Sequence, residues 1–126
     1  MSTKETTNVV LVETELTFTD RIVLGSLLPR EASFEKLIIA RDLQEKIKVT
    51  QDEVKKFSIK PTEDGKNISW DISEEENHFF YEFTDLEKKL IKEELEKKDR
   101  ESKLEAAHLN LFEVFVMQKQ TIPSNS

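Results

Sequence analysis

The side chains best suited to chemistry in this sequence are few and scattered. The two histidines, His78 and His108, stand far apart in the chain. His108 falls between Ala107 and Leu109 in a stretch of helical spacing, where a histidine packs more often than it exchanges protons. Ser26 lies in Leu24-Gly25-Ser26-Leu27, which lacks the two flanking glycines of a nucleophile elbow. Gly25 and Gly65 are the only glycines, too few for a loop that cradles phosphate. There is no cysteine, which removes a disulfide framework, a thiolate metal site and a cysteine nucleophile. Carboxylates remain, and an active site built of carboxylates alone leaves no signature in sequence. The chain therefore reads as non-enzymatic, with no cofactor and no metal site expected. A carboxylate-based enzyme is kept as an alternative.

Those carboxylates are concentrated. Between Glu63 and Glu87 stand nine acidic residues against a single lysine, Lys66. Asp71 with Glu74, Glu75 and Glu76 could hold a divalent cation through oxygen, but the run lacks the glycine and alternating ligands of a calcium loop. It reads instead as a solvated acidic loop, or as a surface that meets a basic protein partner through Glu74, Glu75 and Glu76. A second candidate contact is the segment Ala106 to Met117, apolar on more sides than one stripe can hold. Phe112, Phe115 and Val116 either fill the centre of the core or bind a protein partner or a second copy of the chain.

The whole sequence is acidic, with 26 Asp and Glu against 19 Lys and Arg and a net charge of -7 over 126 residues. A nucleic-acid binder ordinarily carries the opposite sign, so nucleic acid is not the expected partner. One arrangement keeps that reading open. Helix, helix, short helix and hairpin follow one another between residues 20 and 72, the order of parts in a winged helix. The third helix would then be the reader, offering Gln51, Lys55 and Lys56, with Lys66 on the wing. Asp52 and Glu53 at the start of that helix work against phosphate.

The elements behind these candidates read as an α+β domain of four or five helices with a small antiparallel hairpin or three-stranded sheet. Residues 1–8 are expected to be disordered, 9–118 to form one domain and 119–126 to be a flexible tail. Val9 to Phe18 is β-branched and partly alternating, as in a strand or extended arm. A helix from Arg21 to Leu28 would be capped by Thr19 or Asp20 and stopped by Pro29. Ser33 caps a second helix, Phe34 to Lys48. Thr50-Gln-Asp-Glu53, Thr84-Asp-Leu-Glu87 and Ser102-Lys-Leu-Glu105 are capping boxes that open three more. Phe57 and Ile59, then Ile68, Trp70 and Ile72, alternate on either side of Asp64-Gly65, a hairpin signal. Phe79, Tyr81 and Phe83 suggest a third strand. The mixed Lys and Glu run of residues 84–105 is an exposed helix with Glu93–Lys97 and Glu94–Lys98 support, and the last helix spans about Lys103 to Gln118. The expected core is Leu24, Leu27, Leu28, Leu37, Leu43, Ile47, Trp70, Phe83, Leu90, Leu111 and Phe115.

Leu27-Leu28-Pro29-Arg30-Glu31, followed by Phe34, Leu37, Ile39, Arg41 and Leu43, then Phe57-Ser58-Ile59-Lys60 and Ile68-Ser69-Trp70, resembles a class of small proteins of tailed bacteriophages and prophages. The resemblance covers about residues 16–116. It implies expression in the cytoplasm of a bacterial host. It also implies one of two roles, an accessory protein of phage replication or assembly, or an inhibitor of a host defence protein. No apolar run approaches the ~18 residues of a membrane span, and Val9 to Val12 is too short for a secretory signal. No membrane partner or small-molecule substrate is expected.

Overall fold

A computed structural model describes residues 13–118. The expected disordered start, the expected tail and the Val9–Val12 half of the expected first strand lie outside the described residues. Within them the order is β1 (Thr14–Leu16), α1 (Phe18–Leu27), α2 (Phe34–Ile47), α3 (Gln51–Lys56), β2 (Lys60–Pro61), β3 (Ile68–Ser69), β4 (Phe79–Tyr81), α4 (Asp85–Arg100), a 3₁₀ turn (Ala106–His108) and α5 (Leu109–Phe115). The chain is α+β, with five helices and two small antiparallel sheets among the described residues.

Local chemistry explains the helix starts. The hydroxyl of Thr17 accepts from the Asp20 amide, and the Asp20 carboxylate accepts from the Thr17 amide. This reciprocal box starts α1 at Phe18, ahead of the expected Arg21, because the cap is Thr17 and not Thr19 or Asp20. The boxes at Thr50–Glu53 and Thr84–Glu87 form as expected. The third, at Ser102–Glu105, does not. The amide of Lys103 donates to the Lys98 carbonyl at 2.8 Å and that of Ser102 to the Asp99 carbonyl at 3.0 Å. That is a Schellman closure of α4, with Ser102 in the left-handed region at φ 56°. The serine is thereby spent as a stop. The expected last helix, Lys103 to Gln118, shortens to the 3₁₀ turn and α5. The Nδ1 atom of buried His108 accepts from the Glu105 amide and caps that turn.

The hairpin forms around Asp64-Gly65. The Gly65 amide donates to the Thr62 carbonyl, and Gly65 takes φ 70°, open to glycine at no steric cost. Its strands are shorter than the alternation suggested. Lys60 pairs with Ser69 and Pro61 with Ile68, and no further. Phe57 is the C-cap of α3, and Ser58, at φ 51°, turns the chain there, so Phe57 and Ile59 cannot belong to a strand. The third strand does not extend this hairpin. β4 pairs with β1, Thr14 opposite Tyr81 and Leu16 opposite Phe79, in a sheet of its own.

The main core joins Leu16, Leu24, Leu27, Leu28, Ala40, Leu43, Ile47, Phe83, Leu90, Ile91, Leu95, Leu111 and Phe115. The expected core members Leu37 and Trp70 are only half-buried, while Leu16, Ala40, Ile91 and Leu95 are buried beyond expectation. A smaller aromatic layer lies beside it. Phe18 packs on Trp70 at 4.7 Å between ring centres and on Phe79 at 6.4 Å, and Phe57 meets Phe79 edge-on at 6.2 Å. Here Trp70 has its packing role, on the flank and not in the centre.

Candidate functional site

Arg21 organises the surroundings of the expected site. Its side chain is buried, with the guanidinium 4.7 Å from the centre of the Phe79 ring and within cation–π reach of Phe18 and Tyr81. Its Nε and Nη2 donate to the Ile47 carbonyl, and Nη2 also reaches the Lys48 carbonyl at 2.8 Å. These are orphan carbonyls at the C-terminus of α2, where a cation also complements the helix dipole. Nη1 and Nη2 donate in bidentate fashion to Glu53, at 2.9 and 3.0 Å. That contact holds the Glu53 carboxyl below its ordinary value, chiefly through the hydrogen bonds from Arg21. One guanidinium thus fastens α1, the end of α2 and the start of α3.

This pairing changes the nucleic-acid reading. Glu53, one of the two carboxylates expected to oppose phosphate, is turned onto Arg21. Gln51, Lys55 and Lys56 are exposed on α3, and Lys66 is exposed on the hairpin. Lys56, however, lies 3.8 Å from the carboxylate of Glu76. Two residues assigned to rival surfaces are therefore brought together, and each partly neutralises the other.

The acidic segment around Glu74–Glu76 is a strap tied down at several points. The Asp71 amide donates to the Phe57 carbonyl at 2.7 Å. The Glu76 amide donates to both the carbonyl and the hydroxyl of Ser73. Asn77 Oδ1 accepts from the Phe18 amide at 2.7 Å, satisfying a free N–H in the first turn of α1. His78 Nδ1 pairs with the Glu15 carboxylate of β1. That hydrogen bond raises the His78 imidazole above its ordinary value. Between the ties, Glu74 and Glu75 are exposed and make no ion pair among the described residues. Asp71 and Glu74–Glu76 do not converge on a cation position. Among the described residues no group of three or more His, Asp or Glu side chains stands where one metal ion could be held.

The C-terminal candidates divide. Phe115 is buried, 5.7 Å from the Phe83 ring centre, so it serves the chain's own core and is not available to a partner. Helical spacing turns Leu111 and Phe115 inward together. Phe112 and Val116 are half-buried against the same core, and Leu109 and Met117 beside them are 58% and 56% exposed. The apolar excess read from the sequence therefore has two destinations, a buried stripe and a partly open flank.

Other polar groups are structural. Lys46 Nζ donates to Glu87 at 2.7 Å and to the Glu82 carbonyl at 2.8 Å, locking α2 to the start of α4. Asn110 Nδ2 donates to buried Asp20 at 2.7 Å, tying α5 to the cap of α1. Sequence reasoning missed the Arg21, Asn77 and His78 contacts. The one local signal was the Thr17-x-x-Asp20 box, which starts α1 at Phe18 and makes Arg21 its fourth residue.

Comparison with protein-family models, with characterised proteins and with solved structures gives no match to this chain. No helix among the described residues is long and apolar enough to cross a membrane.

Proposed function

We propose that this chain is a non-enzymatic protein-interaction protein whose acidic strap meets a basic surface of a partner. The observation that carries the reading is the strap's fixed geometry. Its Asn77 and His78 side chains and its Asp71 amide tie it to α1, to β1 and to the C-cap of α3, and Glu74 and Glu75 are left exposed without cationic partners among the described residues. A loop ordered before binding loses less conformational entropy on association. Its carboxylates act mainly on the rate of encounter and on partner choice. The other exposed carboxylates of the stretch, Glu63, Asp64, Asp71, Glu82 and Asp85, add to the same field.

The resemblance to small proteins of tailed bacteriophages and prophages supports a bacterial host protein as the partner, and the host cytoplasm as the place of action. Accessory factor and inhibitor of a defence protein are both served by occupying a protein surface. The test is capture of host proteins on the tagged full chain, compared with Glu74→Lys/Glu75→Lys. Glu76 is left in place because it is paired with Lys56. A basic protein held by the wild type, released by salt and lost with the double reversal is the expected result. Equal capture by both forms would remove the strap from the interaction.

A nucleic-acid role for Lys55, Lys56 and Lys66 draws support only from the order of the elements. The pairing of Lys56 with Glu76 counts against it.

A further inference from the structure

An open groove lies away from the strap, between the α1–α2 connection and the second half of α4. Its volume is about 800 Å³, and it is lined by Pro29 to Ser33 and Lys36 on one side and by Glu93, Glu94, Lys97 and Arg100 on the other. Its charges are unevenly matched. Lys36 lies 3.6 Å from Glu93, which neutralises both. Arg30, Lys97 and Arg100 make no ion pair among the described residues, and against them stand Glu31 and Glu94. In a chain of net charge -7 this groove thus collects three unengaged cations from two elements. The two guanidiniums can each present a bidentate fork to a carboxylate.

We infer that this groove is a second binding site, and that its ligand is an acidic peptide segment of a partner protein. The choice between carboxylate and phosphate follows from the lining. A nucleic acid carries a charge at every step and would set phosphates against Glu31 and Glu94 as well as against the cations. A peptide can space its carboxylates to meet Arg30 and Arg100, and can offer backbone N–H groups to Glu31 and Glu94. The groove's wall is more polar than apolar, so recognition would rest mainly on charge-assisted hydrogen bonds and weaken with salt.

The experiment uses the full chain and a fluorescein-labelled hexaglutamate peptide, followed by anisotropy at about 0.02 M and about 0.15 M salt. Binding at low salt, weakened about tenfold or more by Arg30→Glu and by Arg100→Glu, is expected. Lys97→Gln, a milder change on an exposed helix face, is expected to weaken binding to a smaller degree and guards against misfolding of the reversals. Glu74→Lys/Glu75→Lys is expected to leave it undiminished, which separates this site from the strap. Three results would overturn the inference: no binding by the wild type, equal binding by the Arg30→Glu and Arg100→Glu chains, or stronger binding of inorganic phosphate or a single-stranded oligonucleotide to the same residues.

Discussion

The Arg21–Glu53 contact is where a small change should have the largest effect on the whole corner of the fold. Arg21 is 4% exposed and gives five hydrogen bonds, three to the Ile47 and Lys48 carbonyls and two to Glu53. Breaking a buried ion pair from one side costs about 3–5 kcal/mol. The Glu53 side chain keeps 21% of its exposure, and the two carbonyls still receive the guanidinium, so the lower part of that range applies. Glu53→Gln can keep one acceptor oxygen for the Thr50 amide, but it removes the charge and sets an NH2 donor where the second oxygen accepted from Arg21; a loss of about 1–2 kcal/mol is expected. Arg21→Met keeps the volume over Phe79 but strands the Ile47 and Lys48 carbonyls, for about 3 kcal/mol. In a double-mutant cycle the two should couple by about 2 kcal/mol, read from urea unfolding as midpoint shifts of about 1 M for the larger changes. The pH profile gives a second reading. Because the folded Glu53 carboxyl lies below its ordinary 4.5, its contribution is present above that value and fades as pH falls through the lowered one. Glu53→Gln should flatten that acid branch. Coupling below about 0.5 kcal/mol, or a neutral Arg21→Met, would refute the assignment of Arg21 as the tie between the three helices.

Further outcomes follow from single positions. Gly25 lies within α1, and an added Cβ would meet only the flexible end of Gln44 at 3.4 Å, so Gly25→Ala should raise stability by about 0.5–1 kcal/mol in the same assay. Ser102→Gly should stabilise by about 0.5 kcal/mol, because glycine occupies the left-handed stop of α4 without strain. Leu95→Ala, which empties a fully buried position, should cost about 2–5 kcal/mol. The His78 imidazole, followed by NMR against pH, should titrate above the ordinary 6.5 and return toward it in Glu15→Gln. Its raised value means that the clasp to β1 is fully formed below 6.5 and is lost as pH rises through the folded value.

The helical part of this fold was legible because its signals are local. Ser33, Thr50 and Thr84 each cap the helix that follows, and the spacing of Leu43, Ile47, Leu90 and Leu111 gives the buried stripes. The misreadings occur where local chemistry had two outcomes. Ser102 could start a helix or end one, and the Schellman bonds of the preceding helix decided it. Phe57 and Ile59 alternate as a strand would, yet the stop of α3 took the same residues. Strand partnership was beyond reach, since nothing in Phe79 to Tyr81 says that Thr14 to Leu16 will lie beside it and the hairpin will not. At the candidate site the exposed Glu74 and Glu75 were visible in the sequence. The ties that fix them, Asn77 to Phe18 and His78 to Glu15, join residues about sixty apart and leave no trace in spacing.

The most direct measurement is capture from a nuclease-treated bacterial host lysate on the tagged full chain, wild type beside Glu74→Lys/Glu75→Lys, read by mass spectrometry. A role in protein interaction through the strap predicts one basic protein in stoichiometric yield on the wild type, released by salt and missing from the reversed chain. A lysate from which the two forms recover the same proteins, or none, would contradict it.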